Sequence, residues 1–215
     1  LFGGGFVMQS KYCYPGSNTL INHLNIQDGN WLWEVEKVLT TIRLIELDLN
    51  PLKGPFDLKH LQAIHHYIFQ DLYPFSGKLR EEHIAKDYFQ FAHPLFIGEA
   101  FQDLYRQLKR DGFLQGLPKA TFSKKLAYYM AEINVIHPFR EGNGRTTREY
   151  IRYLAMASGY TLDWRRVDHK ELLEASKVSI VNTEKLEKLL FECLIEAEPS
   201  EEVVERWKKS RRARS

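Results

Sequence analysis

The run His137-Pro138-Phe139-Arg140-Glu141-Gly142-Asn143-Gly144-Arg145-Thr146-Thr147-Arg148 gathers a histidine, a carboxylate, paired glycines and closely spaced arginines. Gly142 and Gly144 flank Asn143, so the backbone can turn successive N–H groups into one concavity, an anion-binding nest feeding a helix N-terminus. Arg145 and Arg148 stand one helical turn apart, so both guanidinium forks can reach one side and grip phosphate oxygens. Glu141 supplies a hard oxygen ligand of the kind that holds Mg²⁺ when the ion rides on phosphates. His137 is the side-chain type that titrates near neutrality, which suits a general base for a hydroxyl nucleophile. Taken singly, these residues read as an ordinary turn, a cap and a solvated face; taken together they are equipment for a polyphosphate.

A base and a nest need a rigid scaffold, and helical periodicity dominates the chain. Trp31, Val35, Val38, Leu39, Ile42 and Ile45 predict a packed helix over 31–50, stopped at Asn50-Pro51. Asp57 can cap the next helix, whose Leu58, Leu61, Ile64, Ile68 and Leu72 form a stripe. His60, His65 and His66 on that helix lack a companion ligand set, so they read as surface or packing histidines rather than a metal site. Further helices are expected over 97–110, 121–135, 143–158 with Gly159 as the stop, 168–177 and 183–195. The stripe Leu126, Tyr129, Met130, Ile133 and Ile136 delivers His137 at the end of a buried helix, and Phe139 anchors the loop behind it. Over 78–94 the helical pattern fails, and Ile84, Tyr88, Phe89 and Phe91 among polar residues predict a short hairpin. The expectation is one all-α domain over 8–198 with a small β-hairpin flap near the active site. Residues 1–7 read as a leader appended to a natural start at Met8, and 199–215 as a basic C-terminal tail or helix.

With 215 residues, 44% of them hydrophobic, the chain can bury a sizeable single core. Thirty basic against 28 acidic residues leave a formal charge of +2, so no global field points to nucleic acid. The basic excess is local, at Lys208, Lys209, Arg211, Arg212 and Arg214, and reads as a solvated or frayed tail. Cys13 and Cys193 read as free thiols in a reducing compartment. No apolar run approaches the roughly 20 residues of a membrane span, so a cytoplasm is the expected place of action, whether the cell's own or that of a host receiving an injected effector.

At 137–148 the chain resembles the Fic family, whose motif reads His-Pro-Phe-x-(Asp/Glu)-Gly-Asn-Gly-Arg-x-x-Arg; every defined position is filled. Tyr73, Phe75, Gly77, Lys78 and Arg80 match a second string that precedes the active-site flap in similar proteins. The resemblance implies a protein adenylyltransferase that moves AMP from ATP to a Ser, Thr or Tyr hydroxyl of a target protein. His137 would be the base, Gly142, Asn143, Gly144 and Arg145 the phosphate cradle, and Glu141 the Mg²⁺ ligand. Asn143 would orient the α-phosphate and Arg148 hold the terminal phosphate. Ile84, Lys86 and Phe89 are candidate target contacts on a flap edge able to take an extended segment by main-chain hydrogen bonds. The related Doc kinases carry lysine at the position of Gly144, so Gly144 implies AMP rather than γ-phosphate transfer.

Fic proteins resemble one another in control by a glutamate within Ser/Thr-x-x-x-Glu-Gly/Asn that pairs with the second motif arginine. Thr183 and Glu187 match the first half, but Lys188 replaces the final residue, so Glu187 is either an internal inhibitor or a solvated helix residue. The strings Tyr14-Pro15-Gly16 and Gly159-Tyr160-x-x-Asp163-Trp164 look more like toxin-type members paired with a small helical antitoxin. The competing class is an idle module that binds nucleotide and peptide; the complete motif speaks against it.

Overall fold

A computed structural model describes residues 9–86 and 89–212. Among these residues, eight α-helices enclose one core. α1 (Gly29–Leu49) opens at Asp28, whose carboxylate accepts the Trp31 N–H, and α2 (Leu58–Phe69) opens at Asp57, which accepts the His60 N–H. Such caps satisfy N–H groups that have no partner inside the helix. α3 (Ile97–Arg110), α4 (Lys119–Ile136), α5 (Asn143–Ala157), α6 (His169–Val178), α7 (Glu184–Cys193) and α8 (Glu201–Lys209) follow. α5 is the central helix, packed on α2, α4 and α8. It ends at Ser158 and Gly159, whose φ of +91° is a glycine conformation.

Leu126, Tyr129, Ile133 and Ile136 of α4 are buried as their spacing predicts, so His137 leaves a helix clamped into the core. β1 (Leu52–Lys53) pairs in parallel with β4 (Arg211–Arg212). Within the segment expected as a flap, β2 (Ala85–Lys86) pairs antiparallel with β3 (Phe89–Gln90), placing Ala85 opposite Gln90 and Lys86 opposite Phe89. Tyr88 and the Lys86 side chain lie outside the described structure, as do the leader 1–7, Met8 and Arg214.

Two expectations change. α1 turns inward the face carrying Leu32, Glu36, Thr40 and Leu47, and leaves Trp31, Val38, Ile42 and Ile45 exposed; Val35 and Leu39 are only partly buried. The helix is apolar on two sides, and the choice falls to the side whose Glu36 and Thr40 find polar partners from the motif, since buried polar groups must be paired. The basic tail is also more structured than its charge suggests. Val203 and Trp207 of α8 enter the core, where Trp207 stacks on Phe56 at 5.6 Å, and Lys208 and Lys209 occupy the last turn, where positive charge suits the helix dipole.

His60 and His65 are packing histidines in full. Each is buried with both ring nitrogens occupied by backbone: His60 accepts the Phe56 N–H at 3.2 Å and reaches the Leu52 carbonyl at 2.7 Å. Burial pushes His60 down to about 4 and His65 down to about 3.

Two measurements test this packing. Leu47→Ala should cost about 2–5 kcal/mol because Leu47 is fully buried, whereas Ile42→Ala on the solvent face should move stability by about 0.5 kcal/mol or less; urea unfolding of both variants reads the difference. The buried histidines also set a pH dependence. Both titrate near 6.5 when unfolded and lower when folded, so their stabilisation is complete above about pH 6.5 and lost as pH falls toward about 4 for His60 and 3 for His65. Unfolding free energies between pH 7 and 5 should therefore fall with a slope approaching two protons, about 2.7 kcal/mol per pH unit; a flat profile would contradict neutral burial.

Candidate active site

The loop from 137 to 142 joins the C-terminus of α4 to the N-terminus of α5, two helix ends with unpaired backbone groups. At the α4 end the carbonyls are taken one by one. The Ile133 oxygen accepts the His137 N–H at 3.0 Å, Asn134 O lies 3.3 Å from His137 Nδ1, and Val135 O accepts the Ala92 N–H at 3.2 Å. Arg80 donates to Ile136 O, His137 O and, by its backbone N–H, to Pro138 O. His137 itself is left-handed, φ 48° and ψ 62°, so the chain turns sharply and its ring stacks on Phe91 at 3.7 Å between centroids. An Nδ1–H directed at Asn134 O puts the basic lone pair on Nε2.

The loop is braced from inside. Phe139 is fully buried and stacks on His65 at 3.9 Å. His65 accepts the Gly77 N–H at its Nδ1, so its Nε2 donates to the Glu141 carbonyl at 3.0 Å. Asn143 grips the Phe139 backbone with both ends of its amide, Oδ1 accepting the N–H at 2.9 Å and Nδ2 donating to the carbonyl at 2.8 Å. Through both of these bonds the Asn143 amide shapes the loop. Gly142 has φ +78°, and a Cβ there would meet the Phe69 ring at 2.1 Å, so no other residue fits this approach. α5 starts at Gly142 with no side-chain cap, which leaves its first N–H groups available to an anion.

The two motif arginines divide. Arg145 Nη2 pairs with Glu36 Oε1 at 2.5 Å, its Nη1 lies 3.2 Å from Thr40 Oγ1, and the guanidinium sits over Phe69 at 4.8 Å. Glu36 also accepts a hydrogen bond from the Tyr73 hydroxyl. Arg145 thus serves α1 as well as the cavity. Arg148 makes no ion pair among the described residues, and burial first, then the charge of Arg145, hold its pKa below the ordinary value despite Glu149. A cation so placed is stabilised by an anion. Gly144 is exposed, and a Cβ on it would make ordinary contact 3.5 Å from Arg148 Nη1.

These groups face one cavity of about 840 Å³, lined by Gly142, Asn143, Gly144, Arg145, Arg148, His137 and Glu141 and, from the segment of β2 and β3, by Ile84, Phe89 and Phe91. Glu141 is partly exposed; its Oε1 accepts the Gly142 N–H at 2.8 Å and stands 3.5 Å from Arg145. No group of three or more His, Cys, Asp or Glu able to hold a metal occurs among the described residues, so a cation here would be shared with a ligand. Leu173, Ser176 and Ile180, with Met130, form a further wall that the sequence did not single out as functional. Glu187 is not among the lining residues; in the first turn of α7 it accepts the Thr183 hydroxyl at 2.6 Å. Glu36, His65 and Phe91 act through contacts across the fold that no local spacing announces.

Residues 55–155 match the Fic/DOC family. The chain is 42% identical over 165 residues to the protein adenylyltransferase VbhT of Bartonella schoenbuchensis, an alignment covering 77% of this chain but 34% of that longer protein. It is 36% identical over 177 residues to the probable protein adenylyltransferase Fic of Escherichia coli, covering 82% of this chain and 86% of the relative. In structure it is similar to the N-terminal Fic domain of a VirB-translocated effector from Bartonella quintana with bound ADP, at a TM-score of 0.82 and 26% identity, covering 90% and 97% of the two chains. With an unbroken motif at the junction of α4 and α5, and a near full-length relative above 30% identity, the chain belongs to the Fic/DOC family.

Proposed function

We propose that this chain is a protein adenylyltransferase, moving AMP from ATP to a Ser, Thr or Tyr hydroxyl of a target protein. One observation carries the reading: His137, the uncapped N-terminus of α5 and Arg148 share a single cavity of about 840 Å³, of a size that takes a nucleotide. The adenylyltransferase names of VbhT and the E. coli relative, and the ADP bound to the B. quintana domain, support it.

In this reading the phosphates lie on the N–H groups at the start of α5, with Arg148 on the terminal phosphate and Arg145 at the edge. The wall of Met130, Leu173 and Ile180 suits the base. His137 Nε2 takes the proton of the target hydroxyl; its oxygen bonds to the α-phosphorus as the bond to the bridging α–β oxygen breaks and pyrophosphate leaves. Positioning and preset charge supply most of the acceleration in such chemistry. Glu141, an exposed hard oxygen beside the nest, would hold a Mg²⁺ carried in on the phosphates, and the ion would offset charge on their oxygens. The target segment would lie along the strand pair at Ile84 and Phe89, beside His137.

For control, a glutamate from a separate small helical antitoxin is the better reading than Glu187, because Glu187 is engaged by Thr183 while Arg148 has no ion pair among the described residues. The proposed place of action is a cytoplasm, the cell's own or a host's; no helix among the described residues is long and apolar enough to cross a membrane.

Incubation with α-labelled ATP should mark the target and γ-label should not, and His137→Ala should abolish that marking while ATP affinity by calorimetry stays within about threefold. γ-label on the target, or full transfer by the variant, would remove the proposed chemistry or the proposed base. For control, Glu187→Gly in protein purified alone should leave transfer within about twofold, while co-expression with a small protein bearing Ser/Thr-x-x-x-Glu-Gly/Asn should silence the wild type. Strong activation by Glu187→Gly would return the inhibitor to this chain.

A further inference from the structure

Arg80 is 2% exposed, yet its charge meets no carboxylate among the described residues. Burial lowers its pKa, and among the described residues the guanidinium is held by backbone carbonyls. Nε donates to His137 O at 2.7 Å, Nη1 to Glu82 O at 2.9 Å, and Nη2 to Ala92 O at 2.5 Å and Ile136 O at 3.3 Å; its own N–H donates to Pro138 O at 2.9 Å. Two of those carbonyls flank the strand pair that rises over the cavity, and the others end α4. Ala92 N–H closes the same joint on Val135 O.

The position of this cation is set by α4. The last carbonyls of a helix carry the negative end of its dipole, and a fork with fixed geometry serves several of them at once where a lysine would serve one. The peptide of His137 is the member of the set that has most to lose, because its left-handed backbone is unfavourable for a residue with a Cβ and persists only where neighbours over-determine it. Phe91, one residue from Ala92, stacks on the His137 ring. Both the backbone and the ring of His137 are therefore held from the flap root.

We propose that Arg80 is a positioning residue: its buried fork locks the left-handed His137 to both roots of the flap, so that the strand pair and the base move as one body. The proposal rests on the reading of His137 as base. It separates two kinds of contact in the site, since Arg80 touches neither the N–H groups of α5 nor Arg148, and its loss should spare nucleotide affinity while lowering turnover.

Arg80→Lys keeps the charge and loses the fork. The variant should melt within a few degrees of wild type and bind ATP within about threefold by calorimetry, while label transfer from α-labelled ATP to bacterial lysate proteins falls about a hundredfold at saturating ATP. In ¹⁵N-histidine-labelled protein, the imidazole signals identified by their absence in His137→Ala should lose the ring-current shift imposed by Phe91. A folded Arg80→Lys protein with wild-type transfer and unmoved His137 signals overturns the proposal. If His137→Ala retains transfer, the reading of the base fails, and the imidazole signals still judge the lock. Should Arg80→Lys not fold, amide exchange in the wild type decides: the N–H groups of Arg80, Ala92 and His137 are expected to share one opening, with protection within about tenfold, and an Ala92 amide exchanging hundreds of times faster than His137 overturns it.

Discussion

Two helix ends facing one another across a short loop set the constraint on which the rest depends. An α-helix leaves its last carbonyls and its first N–H groups unpaired, and burying either without a partner is costly. At the end of α4 every such oxygen is taken, by Arg80, by Ala92 and by His137 itself. At the start of α5 Gly142 offers no side chain, and the N–H groups that follow are left for whatever anion the cavity receives. The asymmetry is chemical as well as geometric: closing the negative end and opening the positive end aims the local field of the protein at a phosphate.

The arginines extend the same division. Arg145 is joined to Glu36 and Thr40, so the first of the pair fastens α1 to the motif and fixes which face of α1 is inside. Arg148, a turn later, is held beside that charge and largely away from water, with no carboxylate paired to it among the described residues. One arginine supplies cohesion and leaves the other in an environment that a phosphate improves. Were neither paired, α1 would lose a polar contact that holds Glu36 and Thr40 inward.

Much of this was legible in the sequence, and what was legible was local. The boundaries of α2, α3, α5 and α6 are read within a turn or two from helical spacing, with Asp57 as a cap and Gly159 as a stop. The motif residues His137, Glu141, Gly142, Asn143, Gly144, Arg145 and Arg148 form one side of the cavity, and they are close together in the chain; the wall of Met130, Leu173 and Ile180 is not. What escaped needed partners distant in sequence. Trp31, Val38, Ile42 and Ile45 form as regular a stripe as any buried one, and partners far along the chain, Tyr73 and Arg145, meet Glu36 and Thr40 on the inward face instead. Trp207 was hidden by the charges around it, although its ring closes the core against Phe56.

The same accounting explains why the loop is rigid where it is strained. The left-handed His137, the ring-crowded Gly142 and the desolvated Arg148 each cost the folded state something, and cross-links brace the loop around them: the Arg80 joint, the stack of His65 on Phe139, and the Arg145–Glu36 pair. Each of those cross-links has one partner outside the 137–148 run: Arg80, His65 and Glu36. Local preference alone would let the loop relax, His137 toward an ordinary helical conformation and Arg148 toward water. The strained geometry therefore belongs to the domain rather than to the motif, and a peptide of the motif alone would retain its residues and lose their arrangement.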